Sequence, residues 1–229
     1  MAVKRQVIFV KHYLLCFLCF FISPAWTNQS FNKQWSSLTL MGNYGAVLYN
    51  VEPQFRLIDN QNDPFQQFLT NAGLGYKTAN DWSVWLGQTW GTVAQDASVA
   101  SLEEYRIWEQ LMWNHSFSYV TINSRTRLEE RKSLAFADWA NRIRERVLVT
   151  RPLTTNMSLV VSNEIFVALN KAQWVTTQTI DQNRAYMGIE QRLSKIAYLS
   201  AGYMNQYLST KNRQFDNVLV VNLRIDLSK

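Results

Sequence analysis

The feature that most constrains the fold is a pair of alternating segments within residues 120–149, VTINSRTRLEERKSLAFADWANRIRERVLV. Successive side chains of a β-strand point to opposite faces, so alternation with a period of two predicts strands. The two segments therefore predict a hairpin with a row of arginines along one face. The charged positions of that face are Arg125, Arg127, Glu129 and Arg131 in the first segment and Arg142, Arg144 and Arg146 in the second.

The direction of this charged face separates two fold classes. In a soluble β-sandwich the polar face meets water and the apolar face forms the core. In an outer-membrane β-barrel the apolar face meets lipid and the charged face lines the interior. Other features of the sequence are needed to distinguish these two fold classes.

The N-terminus predicts export. Three basic residues, Lys4, Arg5 and Lys11, precede an apolar run at residues 13–22, and Ser23, Pro24 and Ala25 follow it. This order is typical of a secretory signal peptide, and the apolar run is too short for a transmembrane helix of about 20 residues. We expect a signal peptide at residues 1–25, and an uncleaved anchor helix is the alternative.

Removal of this segment changes both the cysteine content and the charge. Cys16 and Cys19 are the two cysteines of the chain, so the mature protein would contain none and would hold no disulfide. Three basic residues leave with the signal, which lowers the net charge from +6 to +3. The remaining basic residues alternate with acids along strands, which argues against a nucleic-acid partner.

The alternation recurs after residue 46 in segments of about 10 to 14 residues, a length typical of tilted membrane-spanning strands. Short turns near Asn43, Asn80, Ser116, Thr154 and Ser194 alternate with longer loops, including an aperiodic one at residues 89–101. This asymmetry is typical of outer-membrane barrels, whose short turns are periplasmic. We predict an all-β, antiparallel up-and-down transmembrane barrel of about ten strands, or twelve, at residues 46–229. An even strand number would place both ends of the barrel in the periplasm, after a periplasmic leader at residues 26–45.

Several segments from residue 123 onward resemble a known family. They are NSRTRLEER, NRIRERV, SNEIFVALN, DQNRAYMGIEQRLS, LSAGYMNQYL and NVLVVNLRIDL. In this order they resemble an uncharacterised bacterial family, a domain of unknown function that is predicted to form an outer-membrane β-barrel. The resemblance covers nearly all of the mature chain and implies the barrel fold, but no established activity comes with it.

The charged face supplies the candidate site residues. Buried charges are costly unless they are paired, and a guanidinium pairs with a carboxylate in bidentate geometry. We therefore expect the interior of the barrel to be largely filled by a salt-bridge network, and a site for an anion or a phosphate-bearing ligand is the alternative. The candidates for the network or the anion site are Arg125, Arg127, Glu129, Arg131, Arg142, Arg144, Arg146, Glu164, Arg184, Glu190, Arg192 and Arg224.

Catalytic and metal sites find little support in the sequence. His115 is the one histidine of the mature chain, and it stands beside Ser116 in a predicted turn, with no acid that the pattern places near it. We therefore expect no enzymatic activity, no metal and no cofactor. The tryptophans at residues 82, 85, 90, 108, 113, 139 and 174 lie near strand ends, which predicts aromatic girdles.

These patterns predict a monomeric outer-membrane barrel of a Gram-negative bacterium with outer-membrane lipid and the barrel assembly machinery as its partners. Its role would be structural, or it would interact with a small solute or with lipid. Two alternatives remain open. One is a soluble periplasmic or secreted ligand-binding barrel similar to a lipocalin, and the other is an anion-selective, porin-like channel.

Overall fold

The chain folds into eleven β-strands. The computed structural model describes residues 30–59, 65–78, 81–94, 102–175, 178–209 and 214–228, so the expected signal peptide lies outside the described residues. No helix among the described residues is long and apolar enough to cross a membrane. The strands are β1 (Ser30–Tyr44), β2 (Val47–Asp59), β3 (Phe65–Lys77), β4 (Trp82–Ala94), β5 (Leu102–Ser116), β6 (Thr121–Ser133), β7 (Trp139–Pro152), β8 (Met157–Ala168), β9 (Ile180–Arg192), β10 (Ala197–Leu208) and β11 (Gln214–Asp226).

The strands close into a single barrel. Each strand from β1 to β11 pairs with its sequence neighbour in antiparallel orientation, and β1 pairs with β11 in parallel orientation to complete the ring. The parallel pair is long, with partners from Ser30 opposite Phe215 to Met41 opposite Asp226. The structure confirms the predicted all-β barrel, and its eleven strands lie between the two expected numbers.

The expectation of a leader at residues 26–45 is wrong for Ser30–Tyr44, which form β1. This segment pairs with β2 on one side and with β11 on the other, so the ring would stay open without it. The odd strand number also contradicts the expected placement of both ends of the barrel on one side. Because β1 runs parallel to β11, the start of β1 and the end of β11 lie at opposite ends of the barrel.

The connections divide the barrel into two ends. The short-turn end carries the connections at residues 45–46, 78–81, 117–120, 153–156 and 193–196, and the long-loop end carries those at 60–64, 95–101, 134–138, 169–179 and 209–213. The predicted alternation of short turns and longer loops is therefore confirmed. The tightest connection contains Gly45 at φ +59°, a backbone conformation that glycine adopts without steric cost. The loop predicted at residues 89–101 is shorter, because β4 continues to Ala94.

The inner wall combines glycines with large aromatic side chains. The indole of Trp108 on β5 lies against Gly73 of β3 and Gly87 of β4, where a Cβ atom would overlap it. Trp85 lies against Gly75 in the same way. The prediction that Trp85 and Trp108 belong to exterior girdles is therefore wrong. Both indoles fit on the inner face because the residues that they contact there are glycines, which have no side chain.

The outer wall is rich in exposed apolar side chains. Leu86 is 59% exposed and Trp90 is 61% exposed, and both stand on the outer face of β4. Other large apolar residues exposed around the ring are Val51, Phe55, Phe68, Leu74, Ile107, Leu111, Met187, Leu199, Tyr203, Leu219 and Leu223. An exposed apolar surface of this extent is typical of a protein that meets a membrane or a partner.

We expect Gly73→Ala to destabilise the barrel by about 1–3 kcal/mol, because the added methyl group would overlap the tip of the Trp108 indole. Trp108→Phe in the same chain should recover part of this loss, since the smaller ring leaves the space free. Urea unfolding of the wild type, both single variants and the double variant measures the coupling. Additive free energies of unfolding would contradict the proposed contact.

Candidate functional site

The arginine hairpin is formed by β6 and β7, and its charged face points into the barrel. Arg125 stands opposite Arg146, Arg127 opposite Arg144, and Glu129 opposite Arg142. Two of the three facing pairs thus join like charges, which is unfavourable unless other groups separate or neutralise them. Carboxylates from β6 itself and from β8 supply that compensation.

Glu129 is the centre of the first cluster. Its carboxylate is fully buried and accepts hydrogen bonds from the Nε atom of Arg142, at 2.7 Å, and from Nη1 of Arg144. The Nη1 atom of Arg127 lies 3.6 Å from Oε1 of the same carboxylate. One carboxylate therefore faces three guanidinium groups, and charge-assisted hydrogen bonds of this kind are stronger than neutral ones.

Glu164 of β8 is the centre of the second cluster. It accepts hydrogen bonds from Nε and Nη2 of Arg144, at 3.0 and 2.7 Å, and from Nη2 of Arg125. The Nη1 atom of Arg184 on β9 lies 3.8 Å from its Oε2 atom. Arg144 thus joins the Glu129 and Glu164 clusters into one network across β6, β7, β8 and β9.

The network extends toward the long-loop end through Glu104. Arg106 donates to Glu104 from Nε and Nη2 at 2.9 and 3.0 Å, and Arg131 donates from Nε at 2.6 Å. The ring of Phe166, which is fully buried, lies under the guanidinium groups of Arg142, Arg144 and Arg184 at 4.9, 4.5 and 4.6 Å. Ion pairs and the Phe166 ring therefore pack against one another in the half of the interior nearer the long-loop end.

A cavity of about 470 Å³ occupies the interior from the middle of the barrel toward the short-turn end. On β11 the lining changes from Val220 to Arg224 toward the short turns, whereas on four other strands it changes from a polar to an apolar residue. The residues on these four strands are Thr39 and Met41 on β1, Gln110 and Met112 on β5, Arg146 and Leu148 on β7, and Ser162 and Val160 on β8. The volume lies within the range of cavities that hold small molecules.

The lining of the cavity is strongly cationic. Nine arginines and three glutamates line it, and the glutamates are Glu52, Glu164 and Glu190. The arginines are Arg56, Arg106, Arg125, Arg127, Arg142, Arg144, Arg146, Arg184 and Arg224. Because cations outnumber carboxylates three to one at this surface, its chemistry favours anions.

Several donors on the cavity wall have no acceptor among the described residues. They are the Nε atoms of Arg56, Arg125 and Arg146 and the Nε1 atom of Trp108. Arg56 donates to the amide oxygens of Gln54 and Gln67, at 2.7 and 3.2 Å, and Arg146 donates to Asn123 at 3.0 Å. These two guanidinium groups contact only neutral partners, and a buried donor without an acceptor costs free energy.

Most of the predicted site residues lie in this network or on the cavity wall. Arg224 pairs with Glu190 at 3.0 Å on the side of the cavity formed by β9 and β11. Arg131 lies beyond the cavity, beside Glu104 and over the Trp174 ring. Arg192 is exposed at the short-turn end, where its Nε donates to the carbonyl of Ser194 at 3.1 Å and takes no part in the network.

Two contributors from β1 were missed by the sequence analysis because this strand was expected to be a leader. Trp35 lies under the Arg56 guanidinium at 3.9 Å and under that of Arg184 at 4.8 Å. Lys33 forms an ion pair with the fully buried Asp216 of β11 at 2.5 Å. Alternation within residues 33–41 was the signal that could have shown both side chains on one face.

The surroundings of His115 differ from the expectation that no acid lies nearby. Its Nδ1 atom lies 2.6 Å from Oδ2 of Asp81, and its ring stacks on Trp113 and meets the edge of Phe117. The Ser116 hydroxyl lies 3.1 Å from that of Thr121 instead. Within the described part of the chain, no three histidine, cysteine or acidic side chains come together as they would to hold a metal ion.

We expect Glu129→Gln to destabilise the barrel by about 3–5 kcal/mol, because three buried guanidinium groups lose their shared carboxylate. Glu130→Gln is the matched control, since Glu130 is the next residue of β6 and is exposed on the other face. Its effect should stay within about 0.5 kcal/mol. Urea unfolding followed by tryptophan fluorescence compares the two, and equal effects would contradict the central position of Glu129.

Comparisons with known proteins place the chain in a family, and neither the family nor the relative has an assigned function. The chain matches the family described as "Protein of unknown function (DUF2490)" over residues 24–217. It is also similar to an uncharacterized protein of Methylorubrum extorquens, with 33% identity over 196 residues that cover 82% of this chain and 85% of that protein. The family match spans the barrel from β1 into β11, and with it the arginine hairpin, so the chain belongs to the DUF2490 family of proteins of unknown function.

Proposed function

We propose that the protein is an exported outer-membrane β-barrel whose interior is sealed in its long-loop half by the Glu129 network. The observation that carries this proposal is the two-faced wall, with exposed apolar side chains outside and paired charges inside. A barrel leaves no unpaired strand edge, which is the condition for crossing a lipid bilayer with strands. The long-loop half would then face the cell exterior, and the cavity would face the periplasm.

Several polar groups on the outer face are hydrogen-bonded within the protein, which is compatible with the same location. Glu145 accepts hydrogen bonds from Ser124, at 2.8 Å, and from Thr126, at 2.5 Å. Asn163 and Asn183 exchange hydrogen bonds at 3.1 and 3.2 Å. Polar groups that face lipid need partners within the protein, because no water is available to them there.

The channel alternative requires a continuous opening through the barrel. Glu129 and Phe166 are fully buried, and the guanidinium groups of Arg142 and Arg144 lie against both of them. The sealed barrel accounts for this packing better than an open anion-selective pore does. Its role is therefore structural, or it serves a small solute that enters the cavity from the short-turn end.

A soluble ligand-binding barrel is the second candidate, and one observation favours it. The carboxylate of Glu109 is exposed on the outer face near the middle of β5, between the positions of Ile107 and Leu111. A charge in this position is costly in lipid and harmless in water. The two locations make different predictions for cell fractionation and for exterior substitutions.

We expect the protein, when it is expressed in a Gram-negative host, to be recovered in the outer-membrane fraction and to need detergent for extraction. Folded barrel should migrate faster than heated protein in gel electrophoresis, because the closed ring resists the detergent. The mature N-terminus is expected after residue 25, which mass spectrometry of the same sample would show. Recovery in the soluble periplasm without detergent would contradict the membrane location and support the soluble candidate.

We expect Val51→Arg to reduce the free energy of unfolding in lipid vesicles by about 2–4 kcal/mol, because an arginine on the outer face, opposite Leu40 and Ala72, would meet hydrocarbon. Tyr119→Arg is the matched control, since Tyr119 is 83% exposed in a short turn outside the strands. In a water-soluble barrel both substitutions would change stability by less than about 0.5 kcal/mol. Urea titration in vesicles distinguishes the two results.

A further inference from the structure

We propose that the cavity is a binding site for a small organic anion that has one acidic head group and an apolar body. The head group, a carboxylate or a phosphate monoester, would lie between Arg125 and Arg146, and the apolar body would extend toward the short-turn end. This inference goes beyond the proposed location, since the site lies inside the barrel and its occupancy does not depend on which compartment the outer wall meets.

The head-group position follows from two neighbouring arginines with unused donors. Arg125 and Arg146 stand directly opposite each other on β6 and β7, and the Nε atoms of both are buried without an acceptor among the described residues. Arg125 also donates to Glu164, whereas Arg146 forms no ion pair with any described carboxylate and donates only to Asn123. An acidic group between them would relieve their repulsion and accept hydrogen bonds from guanidinium N–H groups.

The position of the ligand's apolar body is inferred from the neighbouring inward-facing residues of three strands. Met112, Leu148 and Val160 line the cavity on β5, β7 and β8, one inward position closer to the short turns than Gln110, Arg146 and Ser162. Each of these strands therefore changes from a polar to an apolar inward residue toward the short turns. A purely inorganic anion would leave this apolar wall without a contact, while an alkyl or aryl group would cover it.

None of the three glutamates that line the cavity bonds to Arg146, although Glu164 bonds to Arg125. Glu190 pairs with Arg224 on the side formed by β9 and β11, and Glu164 is shared by Arg125 and Arg144. Glu52 accepts hydrogen bonds from Thr39 and Gln54 on β1 and β2. The ligand is therefore expected to be a monoanion or dianion of limited size, which fits a cavity of about 470 Å³.

The test measures binding of octanoate to the purified mature protein by isothermal titration. The protein is held in zwitterionic lipid nanodiscs if its extraction needs detergent, with empty nanodiscs as the blank for partitioning, and in buffer if it does not. We expect saturable binding of octanoate, and binding at least tenfold weaker for 1-octanol, octylammonium and inorganic phosphate. Shorter carboxylates should bind roughly fourfold more weakly for each methylene removed. Octanol binding as tight as octanoate binding, phosphate binding as tight as octanoate binding, or no saturable signal would overturn the proposal.

Variants of β7 locate the site. Arg146→Gln should weaken octanoate binding at least tenfold, whereas Arg146→Lys should keep it within a few-fold, because the positive charge remains. Arg151→Gln is the matched control, since Arg151 lies on the same strand and is exposed at its end. Unchanged binding by Arg146→Gln in folded protein would overturn the assignment. The titration is independent of fractionation, so failure of the site and failure of the membrane location would be seen separately.

Discussion

The closing pair of β1 and β11 is the interaction on which the rest of the structure depends. These strands are separated by nearly the whole chain, yet they pair over twelve consecutive positions in parallel register. Without this pair, β1 and β11 would be edge strands with unpaired backbone groups. Closure defines an inside and an outside, and only then does the alternation of each strand become a division between a charged interior and an apolar exterior.

Closure also confines the charges. Arginines that would be solvated on an open sheet are brought within contact of one another, and their mutual repulsion has to be offset by carboxylates in the same small volume. Glu129 and Glu164 do this because they belong to β6 and β8, the hairpin itself and its neighbour, so that Arg144 reaches both. The Nε atoms of Arg56, Arg125 and Arg146 have no acceptor among the described residues, so the compensation is incomplete around these three guanidinium groups.

The distribution of small and large side chains follows the same logic. Eleven strands enclose more space than side chains of average size fill, and the barrel places Trp108, Trp85 and Trp35 inside to occupy part of it. Glycines on β3 and β4 accommodate two of these rings. The cavity is the part of the interior that neither the aromatic rings nor the ion pairs fill, which is why its wall contains both arginines and apolar residues.

The sequence alone determined the class of fold and much of the wall. Period-two alternation is a local property, so it revealed the strands, the hairpin of β6 and β7, the two classes of connection and the face to which each arginine belongs. It could not reveal that Ser30–Tyr44 complete the ring or that Asp81 meets His115, because each depends on segments distant in sequence. Tertiary structure alone decided which carboxylate neutralises which arginine, and it left Arg146 beside an apolar wall without an ionic partner among the described residues. The physical reason is that register and ring closure set the distances between side chains, and those distances decide whether a buried charge is paired or available.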